Sequence, residues 1–391
     1  MFNIQTMNVI AEKGLDVFRQ AGCAVGPEIT GPDAMLIRSA KLHEAVFGPE
    51  LLCIGRAGIG VDNIPVSRCT EEGIAVFNAP GANADSVKEL LLCALTLASR
   101  DIVGAVEWVK SLDGQGDAIP ALVEKGKNAF VGPEVSGKKL GVIGLGAIGS
   151  RVANAALKLD MEVCGYDPFL SVDSAWNLSS KVQHVTDLDV LYRTCDYITM
   201  HIHYTPETRH YLDAAAFGKM KPGIRILNFA RGELVDDEAL SAALDEGRVA
   251  RYVTDFPNQT VLRHHNVVAL PHLGATTPEA EEKSAVMAAQ EVLDYLRDGN
   301  IRNSVNFPNA TLDRLGESRL CLLHRNKPGM LNRFLEIIAA GEVNVEHMLN
   351  KARGDVAYTI FDTTTALGAD VAEQMKAIPG VRRVRLLKAG Q

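Results

Sequence analysis

The stretch Lys139-Leu140-Gly141-Val142-Ile143-Gly144-Leu145-Gly146-Ala147-Ile148-Gly149 decides how this chain folds. An apolar run leads into Gly-x-Gly-x-x-Gly, and a helical pattern follows. A second apolar run, Glu162-Val163-Cys164-Gly165, ends on Tyr166-Asp167. A lone glycine pattern says little. Strand, glycines, helix, strand and acidic residue in this order and spacing form a dinucleotide-binding fingerprint. Gly144 allows a tight turn, Gly146 lets a pyrophosphate approach the backbone, and Gly149 lets the helix pack closely on the strand. Ala147 and Ile148 open the helix, whose free N–H groups and partial positive charge suit phosphates. Asp167 can accept hydrogen bonds from both ribose hydroxyls and would repel a 2′-phosphate. The fingerprint therefore predicts NAD rather than NADP. The competing reading is a glycine-rich turn in some other doubly wound domain.

The bulk numbers agree with a globular protein. The chain has 391 residues, 47% of them hydrophobic and 23% charged, which suggests about two or three domains. The net charge of −8 and the absence of a dominant basic patch argue against a nucleic-acid partner. Seven cysteines are scattered, with no Cys-x-x-Cys and no Cys/His cluster at zinc spacing, so no metal is expected. Reduced thiols in the cytoplasm are the simpler reading. No signal peptide is visible at Met1-Phe2-Asn3-Ile4-Gln5. The most apolar run, Leu90 to Ala98, is too short to span a bilayer, so no membrane partner is expected.

The fingerprint lies well inside the chain, so another unit folds before it. Residues 1–80 alternate short apolar runs (Ala34–Ile37, Leu51–Ile54, Ala75–Phe77) with helical stretches, which reads as a smaller α/β unit. Ser86-Val87-Lys88-Glu89 reads as a capping box opening the apolar helix Leu90–Ala98, expected to be buried between domains or subunits. After the fingerprint, apolar strands recur at 162–166, 196–202, 223–229, 250–255 and 266–270, most of them separated by helical segments. Thr277-Pro278-Glu279 starts a long helix to about Asp298. Asn, Pro, Asp and Gly accumulate over 300–316, suggesting a linker. The tail then reads strand, helix, strand, strand, helix, strand, a ferredoxin-like order.

Two motifs after the fingerprint could carry chemistry. Asn228-Phe229-Ala230-Arg231-Gly232-Glu233 follows an apolar strand, and ligands of open α/β sheets gather at the carboxyl ends of strands. Arg231 there can hold a carboxylate through two parallel hydrogen bonds. Its competing reading is a surface salt bridge to Asp236 or Glu238. Leu270-Pro271-His272-Leu273-Gly274-Ala275 stands at another strand end, and a histidine can accept and return a proton near neutrality. Taken alone, His272 would more often be a packing histidine. His264 and His265 lie in a polar loop, whereas His201 and His203 could line a cofactor site.

Together these motifs resemble the D-isomer-specific 2-hydroxyacid dehydrogenases, over roughly residues 34–300. Within that family the likeness is nearest to members acting on D-3-phosphoglycerate, through Leu36-Ile37-Arg38-Ser39, Gly55–Asn63 and Phe77-Asn78-Ala79-Pro80. The resemblance implies a Rossmann-type NAD-binding domain (91–275) inserted in a split flavodoxin-like α/β substrate domain (1–90 and 276–305). Long helices near 86–104 and 278–298 would act as the hinge. It implies His272 as acid/base, Arg231 as the carboxylate grip, and Arg38, Ser39, Arg56 and Gly58 as substrate contacts. Ala230, His201, Asp255 and Gly274 would join the glycines and Asp167 around NAD, with Asp255 on the nicotinamide carboxamide. The phosphate would fall to Arg38 with Lys or Arg from 110–127.

One departure stands out. The family carries a Glu, paired with the histidine, in an Asp-Val-Phe-x-x-Glu-Pro motif. This chain reads Asp255-Phe256-Pro257-Asn258-Gln259-Thr260, so the carboxylate position falls on Gln259 or Thr260, and neither supplies charge. The tail, residues 317–391, resembles an ACT domain. That likeness implies that His324, Asn326, Gly329 and Asn344 hold an L-serine effector at a subunit interface, or that the module serves oligomerisation alone. A homodimer or homotetramer is expected. Rival readings are a glyoxylate or hydroxypyruvate reductase and a non-catalytic NAD-sensing scaffold.

Overall fold

A computed structural model describes residues 1–388, apart from the side chain of Asp173. The chain forms two compact units, Met1–Ala82 with Glu281–Gln391, and Asn83–Ala280.

In the first unit, β1 (Asn3–Met7), β2 (Ala24–Gly26), β3 (Ala34–Ile37), β4 (Cys53–Arg56) and β5 (Ala75–Phe77) form a parallel sheet in the order β2-β1-β3-β4-β5. This is the flavodoxin-like order. All four residues of β3 are buried, because a parallel strand covered on both faces reads as an unbroken apolar run. The helix Pro278–Asp298 returns to this sheet. Its Ala285, Ala288, Ala289, Val292, Tyr295 and Leu296 share a core with Ile4, Leu36, Cys53 and Phe77. Asn306 then ties the returning chain to β5, accepting from Val76 N at 2.9 Å and donating to Ile74 O at 2.9 Å.

The second unit holds β6 (Lys139–Ile143), β7 (Glu162–Tyr166), β8 (Gln183–His184), β9 (Tyr197–Met200), β10 (Ile224–Asn228), β11 (Val249–Thr254) and β12 (Val267–Ala269). All pairs are parallel, in the order β12-β11-β10-β9-β6-β7-β8. The strand order reverses at β6 and β9. Doubly wound sheets bind their ligands outside the strand ends at such a switch point.

Two local expectations need correction. The apolar helix runs Ala84–Ser99, with Asn83 at its N-cap and no side-chain cap. Ser86 therefore lies inside the first turn and forms no capping box. Burial of Ala84 and Val87 draws the helix start back into the core, and packing outweighs the local capping signal. The helix expected near 86–104 also breaks. Arg100 is extended, and Asp101 accepts from Gly104 N at 3.3 Å to cap a separate helix, Ile102–Lys110. The buried face of Ala84–Ser99 (Val87, Leu91, Ala94, Leu95, Ala98) packs with Leu140, Val142 and Leu227 of its own unit's sheet.

The tail comprises β13 (Ser318–Arg325), the helix Met330–Ala340, β14 (Val345–Arg353), β15 (Val356–Thr363), the helix Ala369–Lys376 and β16 (Val381–Lys388). Its antiparallel sheet runs β14-β15-β13-β16, a ferredoxin-like topology. Leu320, Leu322 and Phe361 face Met330, Phe334, Val371 and Met375 of the two helices. Cys321, Leu323, Tyr358 and Ile360, on the other face, join the core of the first unit. Polar groups fix this docking. Arg319 pairs with Asp362 through two hydrogen bonds of 2.6 and 2.7 Å, both side chains fully buried. Arg319 also donates to the carbonyls of Asp298, Leu312 and Asp313. Arg385 donates to the carbonyls of Tyr295 and Leu296, and Tyr358 Oη to that of Gly299. The last carbonyls of a helix have no partner within it. Here the tail supplies partners for the helix Pro278–Asp298.

Candidate active site

The fingerprint forms the geometry its spacing predicts. Gly144 has φ 88°, a conformation that L side chains rarely adopt. A Cβ on Gly149 would sit 1.9 Å from Gly144 O, whereas one on Gly146 would meet no protein atom within 4 Å. Thus Gly149 is required for internal packing, and Gly146 borders open space at the N-terminus of the helix Ala147–Leu157. Ala147 and Ile148 form its first turn. Asp167 directly follows β7. Its Oδ2 accepts from Leu145 N at 2.8 Å and its Oδ1 from Phe169 N at 2.9 Å. The carboxylate is thereby fixed, with remaining lone pairs for hydroxyl donors.

His201 follows β9. Half-buried by accessible surface yet walled in by protein atoms, its ring is pushed down to about 3 by burial and stays neutral, 3.1 Å from Thr199 Oγ1. His203 lies two residues on and is exposed.

Arg231 and His272 follow β10 and β12, the two strands that flank β11 in the sheet. Asn228, fully buried, organises the first. Its Nδ2 donates to Arg231 O at 2.9 Å and its Oδ1 accepts from Ala230 N at 3.2 Å. The Arg231 guanidinium donates to Ala230 O at 2.7 Å and stands 5.8 Å from the centre of the Phe256 ring. The competing reading, a salt bridge from Arg231 to Asp236 or Glu238, is not among the ion pairs of the described residues. Asp236 instead accepts from Ala239 N at a helix start and lies 3.1 Å from His210 Nδ1. His272 is exposed, and its ring packs against Phe256, 4.8 Å between centroids. Phe256 therefore contacts both candidate catalytic side chains. The sequence offered Asp255-Phe256-Pro257 as a motif but assigned the phenyl ring no role. His264 is held at Ser241 and Asp245, apart from this group.

Asp255 is 1% exposed. Its Oδ2 accepts from Gly274 N at 3.1 Å, and its Oδ1 is buried without a partner. Burial raises its carboxyl above the usual range, opposed by the Gly274 hydrogen bond and by His272. A buried carboxylate oxygen without a donor is costly, and the amide of a nicotinamide ring would supply one. With the open space at Gly146 and the fixed Asp167, the residues present fit NAD. Gln259 is exposed.

In the first unit, Arg38 forms an ion pair with Glu281 of the returning helix. Ser39 N donates to Asn8 Oδ1 at 3.1 Å, and Arg56 Nε donates to Arg38 O at 3.2 Å. Gly58 has φ 148°, and a Cβ there would fall 1.9 Å from Arg56 Nη1. These four residues form one polar group at the carboxyl ends of β3 and β4. Lys110 and Lys127 are exposed, and Lys127 pairs with Glu124.

The tail carries a recess of about 270 Å³ lined by His324, Asn326, Gly329 and Asn350 among others. Asn344 is not among its lining residues and is exposed. Burial lowers the pKa of His324, so its ring is neutral. Its Nδ1 lies 2.8 Å from Arg325 O and its Nε2 2.8 Å from Thr359 Oγ1. Thr359 Oγ1 lies 2.8 Å from Asn350 Oδ1 in turn, so His324, Thr359 and Asn350 form one polar chain beside the recess.

Residues 93–274 match the family described as D-isomer specific 2-hydroxyacid dehydrogenase, NAD binding domain. The chain is 38% identical over 296 residues to the D-3-phosphoglycerate dehydrogenase of Synechocystis, covering 73% of this chain and 51% of that one. It is 36% identical to the hydroxypyruvate reductase of Thermotoga maritima, covering 69% and 86%. An NAD+-bound 3-phosphoglycerate dehydrogenase structure from Entamoeba histolytica superposes with a TM-score of 0.60 at 25% identity, covering 80% of this chain and 99% of that one. The chain spans 51–59% of the length of the relatives from Synechocystis, Methanocaldococcus jannaschii and Archaeoglobus fulgidus. These matches and the doubly wound sheet agree: the chain belongs to the D-isomer-specific 2-hydroxyacid dehydrogenase family.

Proposed function

We propose that the chain oxidises D-3-phosphoglycerate to 3-phosphohydroxypyruvate with NAD, the first step of L-serine biosynthesis. The observation that carries the dehydrogenase reading is the group Arg231, Phe256, His272 and Asp255 at the strand ends of the cofactor sheet. The substrate follows from the several relatives named D-3-phosphoglycerate dehydrogenase. Bound NAD would accept two electrons and one hydrogen from the substrate C2. Arg231 grips the substrate carboxylate, and an imidazole nitrogen of His272 takes the C2 hydroxyl proton. Phe256 fixes the ring plane of His272, so proton and hydrogen leave in defined directions. Asp255 Oδ1 accepts from the nicotinamide amide, which sets the face presented. Asp167 holds the adenosine ribose, and Gly144, Gly146 and Gly149 admit the pyrophosphate. Arg38, Ser39, Arg56 and Gly58 contact the substrate.

The likeness to a hydroxypyruvate reductase favours a second reading, reduction of an unphosphorylated keto acid. NADH consumption with 3-phosphohydroxypyruvate, hydroxypyruvate and glyoxylate separates the two. The proposal requires the highest kcat/KM on the phosphorylated substrate. A preference for hydroxypyruvate or glyoxylate refutes it, and no turnover with intact NADH binding identifies a scaffold.

The tail serves as an ACT-type sensor for L-serine, supported by His324, Asn326, Gly329 and Asn350 around one recess. A homodimer or homotetramer is supported by the exposed Ile102, Val103, Val106 and Val109 on the helix Ile102–Lys110. Among the described residues no helix is long and apolar enough to cross a membrane. A cytoplasmic setting is supported by seven cysteines that are all free thiols.

A further inference from the structure

Cys164 and Cys195 have no part in the chemistry above. Cys164 is the third residue of β7 and pairs in register with Gly141 of β6. Cys195 ends the helix Leu188–Thr194. The missing side chain of Gly141 leaves a small space beside both thiols: a Cβ there would lie 3.1 Å from Cys195 Sγ and 2.5 Å from Leu191 Cδ2, and Cys164 is its register partner on the next strand. The neighbouring Cys195 thiol, with Lys139, holds the Cys164 thiol well below the usual range, against the upward push of its own burial. Both side chains are buried, but the cover over Cys164 is thin. Gln183 Oε1 lies 3.5 Å from Cys164 Sγ, on a two-residue edge strand whose residues are exposed. Short edge elements open locally at low cost, which gives a small oxidant access.

We propose that Cys164 and Cys195 are an oxidisable dithiol, closed to a disulfide by a hydroperoxide, and that closure weakens cofactor binding. The Cys164 thiolate attacks a peroxide oxygen, the O–O bond breaks, and a sulfenic acid and hydroxide result. The Cys195 sulfur then attacks the Cys164 sulfur. The S–S bond forms, the S–O bond breaks, and the leaving hydroxide takes up the Cys195 proton as water. One peroxide is reduced by two electrons as the two thiols are oxidised by two. A disulfide requires about 2.05 Å between sulfurs, shorter than any thiol hydrogen bond. The end of the Leu188–Thr194 helix and β7 must therefore draw together. Cys164 lies on β7 three residues before Asp167, which directly follows the strand and holds Leu145 N of the glycine turn. The displacement is transmitted to both ribose and pyrophosphate contacts.

The test uses the full chain, reduced and then treated with hydrogen peroxide, with peptide mass spectrometry and NADH fluorescence titration in parallel. The expected result is a Cys164–Cys195 cross-link and NADH affinity weakened by about fivefold or more, the lower range of coupling between sites. Dithiothreitol should reverse both. Cys93→Ser, at an exposed thiol, should behave as wild type, and Cys195→Ala should form no cross-link and keep its affinity. Should that variant fail to fold, the wild-type time course decides, because cross-link and affinity loss must rise together. A dose that oxidises Cys93 without linking 164 to 195 overturns the proposal, as does a cross-linked protein with unchanged NADH affinity.

Discussion

The substitution Asp255→Asn changes a charge and leaves the shape, and its two consequences have opposite sign. In the cofactor-free protein the Asp255 side chain is 1% exposed, with one oxygen on Gly274 N and the other without a partner. Burial raises its folded pKa above the reference of 3.8. The folded state therefore holds a proton that the unfolded chain has released. The stability from this group is complete below the unfolded value and is lost as pH rises through the raised folded value. At neutral pH the ionised side chain destabilises the free protein. The substituted amide keeps an acceptor for Gly274 N and carries no charge, so the melting temperature at neutral pH should rise, and the stability–pH slope above 3.8 should flatten. The same change places an amide nitrogen where Oδ1 stood, so the nicotinamide amide meets a donor instead of an acceptor. A hydrogen bond to a charged group contributes roughly 1.5–3 kcal/mol, so NADH should bind about 10- to 150-fold more weakly, at 1.4 kcal/mol per decade. Thermal melts without cofactor and NADH fluorescence titration measure the two effects. An NADH Kd within about twofold of wild type, where the reasoning requires about tenfold or more, would refute the cofactor contact. A lowered melting temperature would refute the account of the buried charge.

Other substitutions follow from the same geometry. Gly146→Ala should fold with near wild-type stability and lose NADH affinity, whereas Gly149→Ala should lose both, because its Cβ overlaps Gly144 O; paired melts and titrations check this contrast. Arg319→Met leaves Asp362 buried without its partner and should cost about 3–5 kcal/mol, read by denaturant unfolding of the full chain. Gln259→Glu, at one of the two positions where the family resemblance implies a carboxylate, should move the acidic limb of the pH–rate profile upward by about 0.7 unit, from about 1 kcal/mol at 4 Å in water; an unchanged profile and rate would remove residue 259 from the catalytic group. L-Serine titrated calorimetrically should bind wild type and bind His324→Ala at least about tenfold more weakly, and equal heats in both would exclude the recess as its site.

The amino-acid sequence by itself determined the cofactor unit. Residues 139–167 carry strand, glycine turn, helix, strand and acidic end within one local segment, and each requirement is met by neighbours in the chain. The ferredoxin-like order of the tail was legible for the same reason, since strand and helix periods are local. Ser86 misled because a capping signal is local, and the burial of Ala84 and Val87 overrode it. The break at Arg100 depended on a single carboxylate, Asp101. What only the tertiary structure decided involves partners far apart in sequence. Phe256 stands between Arg231 and His272 because β10, β11 and β12 are neighbours in the sheet. Arg319, Tyr358 and Arg385 meet the end of the Pro278–Asp298 helix because the tail's second face needed apolar cover. Cys164 and Cys195 flank the space that Gly141 leaves without a side chain. Such contacts follow from packing density and from satisfying buried polar groups, and these are properties of the assembled core rather than of any stretch of chain.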